Sequence, residues 1–171
     1  FMLTARRARD WFEFRMTPEQ KAYFLPKFLS DPLFFTTVCI HEPDTDLGFD
    51  YFMETPEYAK FKTRAVEQPD GSCLINGAQN FQTVGWLSKL LVVMAQTNDG
   101  PRAFLVEGDS KGLLRRPISK LGRRVGDNGE LFFDDVRVPK GFIMPPPPKG
   151  RTDLGTHMTI ASLTLGLGRA A

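Results

Sequence analysis

Apolar and polar positions along this chain fall into short alternating or continuous runs separated by turn residues, with helical spacing confined to its two ends. The densest apolar run is Lys89–Thr97 (K-L-L-V-V-M-A-Q-T), which has the length and character of a strand buried on both faces. Upstream, Gln68-Pro69-Asp70-Gly71 supplies the proline and glycine of a tight reversal. A short strand follows from Ser72, then Asn76-Gly77, a strong hairpin signal. A further strand carries Asn80-Phe81-Gln82-Thr83 before breaking at Gly85. The pattern predicts a compact meander of three strands over 72–97. A polar row (Asn80, Gln82) and the Thr83 hydroxyl lie where such a domain can face a ligand.

Further strands are expected at Leu33–Ile40, Lys60–Glu67, Arg102–Glu107 and Gly129–Val138, the last closed by Pro139. The segments His41–Gly48 and Gly108–Gly112 read as loops, and Asp50–Tyr58 is ambiguous. Short strands at regular spacing argue for a β-barrel or a sandwich. Phe1–Arg15 reads as an amphipathic helical piece. Thr17-Pro18-Glu19-Gln20 places a hydroxyl at the cap, proline at the first helical position and glutamine at the third, a capping box. Tyr23, Phe24 and Phe28 give that helix its apolar face, and Pro26 is expected to tighten or end it. Pro145–Pro148 reads as a stiff extended spacer. A helix beginning at Thr152 or Asp153 and apolar on most of its circumference follows, so it needs partners.

Composition narrows the function classes. With 171 residues the chain is long enough for one domain with a real core and helical flanks. A net charge of +2 gives no bulk electrostatic case for nucleic acid or a membrane surface. Cys39 and Cys73 are the only two cysteines, too few for a disulfide framework, so each reads as a small buried hydrophobe in an intracellular, reducing compartment. His41 and His157 have no cysteine partners at zinc spacing, so no metal is expected. The chain has no apolar run long enough for a membrane span and no signal-peptide layout. Its start at Phe1-Met2-Leu3, without an initiator methionine, reads as a fragment or a processed chain. The basic run Arg115–Arg124 reads as a solvated face, the sharper alternative being a clamp for phosphate groups.

Four blocks, in order, resemble the acyl-CoA dehydrogenase flavoprotein superfamily. T-P-E-Q-K-A-Y-F-L-P resembles the helix closing its N-terminal helical domain, and V-C-I-H-E-P-D its T-E-P-G-A-G-S-D signature. D-G-S-C-L-I-N-G-A-Q-N-F-Q-T-V-G resembles D-G-x-x-L-N-G-x-K-x-W-I-T-N-G. K-L-G-R-R-V-G-D-N-G-E-L-F-F-D-D-V-R-V-P resembles K-L-G-x-R-x-S-x-T-x-E-L-x-F-x-D-V-x-V-P.

The resemblance implies a mainly β fold with helical flanks. The end of a helical domain would occupy 1–32, a central β-barrel 33–144, and a Pro-rich linker with the first helix of a C-terminal bundle 145–171. It implies FAD as cofactor, an acyl-CoA thioester as substrate, an electron acceptor protein as partner and a homo-oligomer at full length. Val38, Ile40 and His41 fall where family members line the flavin, His41 in place of a threonine. Phe81, Gln82 and Thr83 fall on the W-I-T positions, with Thr83 retained, Phe81 an aromatic exchange and Gln82 a polar departure. Leu47 falls near the family serine that contacts pyrophosphate or substrate, where G-A-G-S has become Asp44-Thr45-Asp46-Leu47. The family's catalytic carboxylate base would lie downstream of residue 171, and Glu42 reads as structural. The implied reaction is oxidation of the Cα–Cβ bond of an acyl thioester. Two other readings stay open at this point: a flavin-dependent oxidase or monooxygenase on the same fold, and a non-catalytic barrel retained as a binding module.

Overall fold

A computed structural model of the chain describes residues 8, 11–43, 61–121 and 127–145. The predicted apolar strand is its centre. Strand β4 (Leu90–Thr97) carries hydrophobic residues on both faces, and each face meets its own core. Leu91, Val93 and Ala95 enter one apolar cluster, whereas Leu90 and Val92 enter a second. Alternation along an extended chain sends successive side chains to opposite faces, so a continuous apolar run demands two covered surfaces.

The other strands are β1 (Thr36–Cys39), β2 (Arg64–Glu67), β3 (Cys73–Thr83), β5 (Gly100–Glu107), β6 (Leu113–Pro117) and β7 (Asn128–Val138). They form one seven-stranded sheet in the order β1-β4-β2-β3-β7-β6, with β5 on the other edge of β4. β1 runs parallel to β4, while β4–β5, β2–β3, β3–β7 and β7–β6 are antiparallel. The first cluster joins Cys39, Ala65, Ile75, Phe104, Leu131 and Val136, drawn from β1, β2, β3, β5 and β7 as well as β4. One flat face cannot bring those strands into a single cluster. The sheet wraps around it, giving the mainly β, barrel-type architecture with helical flanks. Across the seam, where no ladder joins β5 to β6 among the described residues, Leu113 of β6 packs onto the cluster containing Phe104 and Val106.

The second cluster covers the outer face of β4 and β5 with residues of the helical flank: Phe12, Met16 and Phe24 pack with Leu90, Val92, Ala103 and Leu105. Helix α1 (Pro18–Ser30) begins with the predicted capping box. Gln20 N–H donates to Thr17 Oγ1 at 3.2 Å and Thr17 N–H to Gln20 Oε1 at 3.1 Å. The same Gln20 amide donates to the carbonyls of Gly141 (2.8 Å) and Ile143 (3.0 Å), tying the helix start to the chain leaving β7. Lys27 bridges to Glu107 on β5 at 2.8 Å.

Three expectations are revised, and a fourth, the helical N-terminal piece, is met where it is described. α1 runs straight through Pro26 to Ser30, although a mid-helix proline costs about 3 kcal/mol. Aromatic packing on either side offsets that cost: Phe24 lies 4.9 Å from Phe142, and Phe28 lies 5.1 Å from Phe12. The predicted amphipathic N-terminal piece is described at Ala8 and as a π-helical turn over Trp11–Arg15. The meander does not form, because β3 pairs with β2 and β7 while β4 pairs with β1, β2 and β5. Nor does Asn76-Gly77 turn the chain, which continues as one strand from Cys73 to Thr83.

At Asn76 the register shifts, so that Asp134 and Asp135 of β7 together face Asn76. Asn76 Nδ2 donates to Asp135 Oδ1 (2.8 Å) and Asp135 N–H returns to Asn76 Oδ1 (2.9 Å). Gly77 has φ +142°, and a Cβ there would lie 2.7 Å from Thr63 Cα. The turn-like dipeptide therefore serves a bulge and a close crossing of backbones. The Pro145–Pro148 spacer is described only at Pro145, and the predicted C-terminal helix lies outside the described residues.

Two predictions follow from these local devices. Gly77→Ala should destabilise the protein by about 3 kcal/mol in urea unfolding, since it meets both a backbone clash and a glycine-only conformation. In the 68–72 turn, bonds from the Ser72 hydroxyl and N–H, with Arg137 beside them, lower the Asp70 carboxyl from 3.8 to about 2. A lowered folded-state value means stabilisation that is complete above the unfolded value and lost as pH falls through the folded one. Asp70→Asn and the natural protein should thus differ in thermal midpoint above about pH 4 and converge near pH 2.

Candidate functional site

The end of β3 departs from regular strand geometry. Gln79 pairs with Leu131 and Gln82 with Gly129, so Asn80 and Phe81 together face Glu130 alone, a bulge. Phe81 has φ +54° and Val84 φ +56°. Both are in the left-handed region, uncommon for any residue with a Cβ and an outlier for β-branched valine. Phe81 is 55% exposed, so its ring stands out from the rim of the sheet.

Hydrogen bonds from four directions hold this distorted segment. Gln82, 1% exposed, donates its side-chain amide to His41 C=O at 2.9 Å and to Asn80 C=O at 2.8 Å. Asn80 N–H donates to the same His41 carbonyl at 2.9 Å. From β7, Asn128 Nδ2 donates to Phe81 C=O at 2.6 Å, and its Oδ1 accepts from Lys120 Nζ. From β1, Thr37 Oγ1 donates to Thr83 C=O at 2.7 Å. Val84 N–H donates to Asp127 C=O, and Val84 C=O accepts from Ser88 Oγ at 2.8 Å. Gly129 has to be glycine for the same packing, because a Cβ there would lie 2.6 Å from Trp86 N.

The loop beside this rim has its own clasp. Glu42 is 5% exposed, and its carboxylate accepts from Lys62 N–H at 2.7 Å and Thr63 N–H at 2.6 Å. It thereby joins the chain leaving β1 to the chain entering β2, the structural role expected from its sequence. Carboxylate acceptors facing backbone N–H groups make charge-assisted bonds about twice as strong as neutral ones.

The predicted site residues divide into those the structure gathers and those it does not. His41 lies against Asn80 and Gln82, so the loop after Ile40 and the end of β3 do converge. Thr83 follows directly, and among the described residues its hydroxyl has no hydrogen-bond partner. Gln82, expected to face a cofactor, turns its side chain into the protein. Val38 and Ile40 are half-buried on and just after β1, out of register with the inward-facing Thr37 and Cys39. Leu47 lies outside the described residues. Of the basic run, Arg115 Nη1 donates to Ser88 C=O at 2.7 Å and is half-buried, and Arg116 lies 5.5 Å over the Phe132 ring. Burial lowers the Arg115 pKa, and both cations, with Lys120, are held by the sheet itself. Thr37 and Asn128 were missed. Thr37 sits in an ordinary-looking strand, and Asn128 stands just ahead of the expected strand Gly129–Val138 with nothing local to mark it.

Comparison with known proteins places this arrangement in a class. The description of the acyl-CoA dehydrogenase middle domain matches residues 55–136. The short/branched chain specific acyl-CoA dehydrogenase of Bos taurus is 35% identical over 162 residues, covering 91% of this chain and 34% of that protein. The long-chain specific enzyme of Mus musculus is 40% identical over 85 residues, 45% of this chain and 20% of that one. Among solved structures, the glutaryl-CoA dehydrogenase of Mycobacterium smegmatis in complex with FADH2 aligns at TM-score 0.64 and 30% identity, over 78% of this chain and 32% of its own. The acyl-CoA dehydrogenase of Geobacillus kaustophilus aligns at 0.66 and 28%, over 82% and 36%. The curled sheet with its distorted rim thus falls within the stretch that matches an acyl-CoA dehydrogenase middle domain. The chain belongs to the acyl-CoA dehydrogenase superfamily. It spans about a third or less of the length of these relatives.

Glu42→Ala would leave the buried Thr63 N–H without an acceptor, at about 1–3 kcal/mol, and the more exposed Lys62 N–H at a smaller cost because water can replace the carboxylate. Hydrogen exchange should show the Lys62 and Thr63 amides losing protection first, ahead of those in β4.

Proposed function

We propose that this chain is the cofactor-facing middle part of an FAD-dependent acyl-CoA dehydrogenase-like oxidoreductase. The reaction is oxidation of the Cα–Cβ bond of an acyl thioester. The observation that carries the reading is the rim. An exposed aromatic ring (Phe81) and a hydroxyl with no partner among the described residues (Thr83) stand two positions apart on a pinned strand end, with the His41 carbonyl bonded to their neighbours Asn80 and Gln82. A planar, hydrogen-bonding ring system suits such a surface: an aromatic wall packs its face, and a free hydroxyl bonds its edge. The donor set fits FAD on those grounds.

In this proposal Phe81 and Thr83 make the side-chain contacts and Val38, Ile40 and His41 line the adjoining wall. Gln82 supports the rim from behind, and Leu47 meets the substrate or pyrophosphate end. Bound FAD would supply the hydride acceptor at N5. This chain's residues orient that ring and keep water from it, while a carboxylate base from elsewhere in the whole protein removes the α-proton. The division into 1–32, 33–144 and 145–171, the acyl-CoA substrate, an electron acceptor protein and self-association belong to the same proposal. So does an intracellular reducing compartment, supported by two buried, unpaired cysteines. Among the described residues no helix is long and apolar enough to cross a membrane.

The test is direct. The whole protein should purify yellow, with a flavin band that acyl-CoA bleaches. Thr83→Val should weaken FAD binding about tenfold, the value of one good hydrogen bond, and Phe81→Ala by at least as much. A colourless protein that takes up no flavin, or equal affinities in all three forms, would sink the reading.

A further inference from the structure

Resting on that reading, we propose that Gln82 and Asn128 are positioning residues that grip the peptides on either side of Phe81 and hold its left-handed backbone in a ligand-ready form. Neither side chain needs to touch the cofactor.

Gln82 is 1% exposed, yet its amide does not complete a ladder. Its two donor hydrogens go to His41 C=O and Asn80 C=O, one on the loop after β1 and one on the bulge. The Gln82 amide, together with the Asn80 N–H on the same His41 carbonyl, thus fixes the distance between the two segments that make up the site. Asn128 holds the next carbonyl, that of Phe81, at 2.6 Å. Lys120 donates to the oxygen of the same Asn128 amide. A cation on the acceptor end polarises that amide and strengthens its bond to Phe81. Phe81, at φ +54°, lies between the two grips. Left alone, a phenylalanine leaves this region readily, because its Cβ crowds the following carbonyl. Without the grips the ligand-ready form becomes a minor population, and apparent affinity falls in proportion to that population.

The Gln82 position is where the resemblance expects an apolar residue, so the two alternatives can be exchanged. Gln82→Leu keeps the volume close and removes both donors. Gln82→Glu keeps the shape but turns acceptor oxygens toward two carbonyls. Asn128→Leu removes the second grip. Each variant is compared with the natural protein by hydrogen exchange without FAD, by FAD titration and by thermal melting.

The expected result is faster exchange confined to residues 80–84 in all three variants, FAD binding weakened about tenfold, and slow exchange regained at saturating FAD. Thr83→Val should weaken FAD binding with no change in exchange at the rim, which separates a contact from a support. Unchanged rim exchange and affinity within about twofold in Gln82→Leu and Asn128→Leu would overturn the proposal. So would faster exchange spread evenly over the sheet, the mark of a merely structural role. Failure of the natural protein to bind FAD would overturn the cofactor assignment, while the exchange pattern would still decide whether the grips exist.

Discussion

Wherever a ladder breaks in this domain, stranded backbone groups have to find a partner, and the partner is repeatedly one buried side-chain amide or carboxylate. Gln20 takes the carbonyls of Gly141 and Ile143, Gln79 that of Met94, and Gln82 those of His41 and Asn80. Glu42 takes the N–H groups of Lys62 and Thr63. An unmade bond of this kind costs more than a made one gains, so each such residue is fixed by the gap it fills. Together they fasten helix to sheet, loop to strand and rim to loop. The apolar clusters supply the bulk of the burial, and these few polar groups decide where the pieces stop.

The parts of the fold legible in sequence are those set by neighbours in the chain. Thr17 and Gln20 lie one turn apart, and the box they form is present as read. The apolar run around Val92 meets two cores, as a run without polar alternation must. Asn76-Gly77 misled because its meaning depends on Asp135 and Thr63, distant in sequence. The meander failed for a similar reason: β1, not β3, lies beside the first half of β4, and a parallel pairing leaves no local turn to betray it.

The candidate site was readable in outline and not in its supports. His41 and the 80–83 stretch come together, and the Phe81 ring is exposed beside the half-buried Thr83. Gln82, a polar residue on a strand, looked like a side chain facing a ligand, but its burial shows that it faces the opposite way. Nothing local marks Thr37 or Asn128, because each acts on the main chain of another strand. Supports of this kind are written in three dimensions only.

The clasp at Glu42 has a bearing on how such domains diversify. By fastening the two ends of the 44–60 stretch at its base, the carboxylate insulates the sheet from whatever that stretch contains. The entropy of a closed loop grows only with the logarithm of its length, so doubling it adds about 0.6 kcal/mol. Insertions and deletions between Glu42 and Lys62 are therefore nearly free for the sheet, because the clasp that closes the segment stays in place whatever its length.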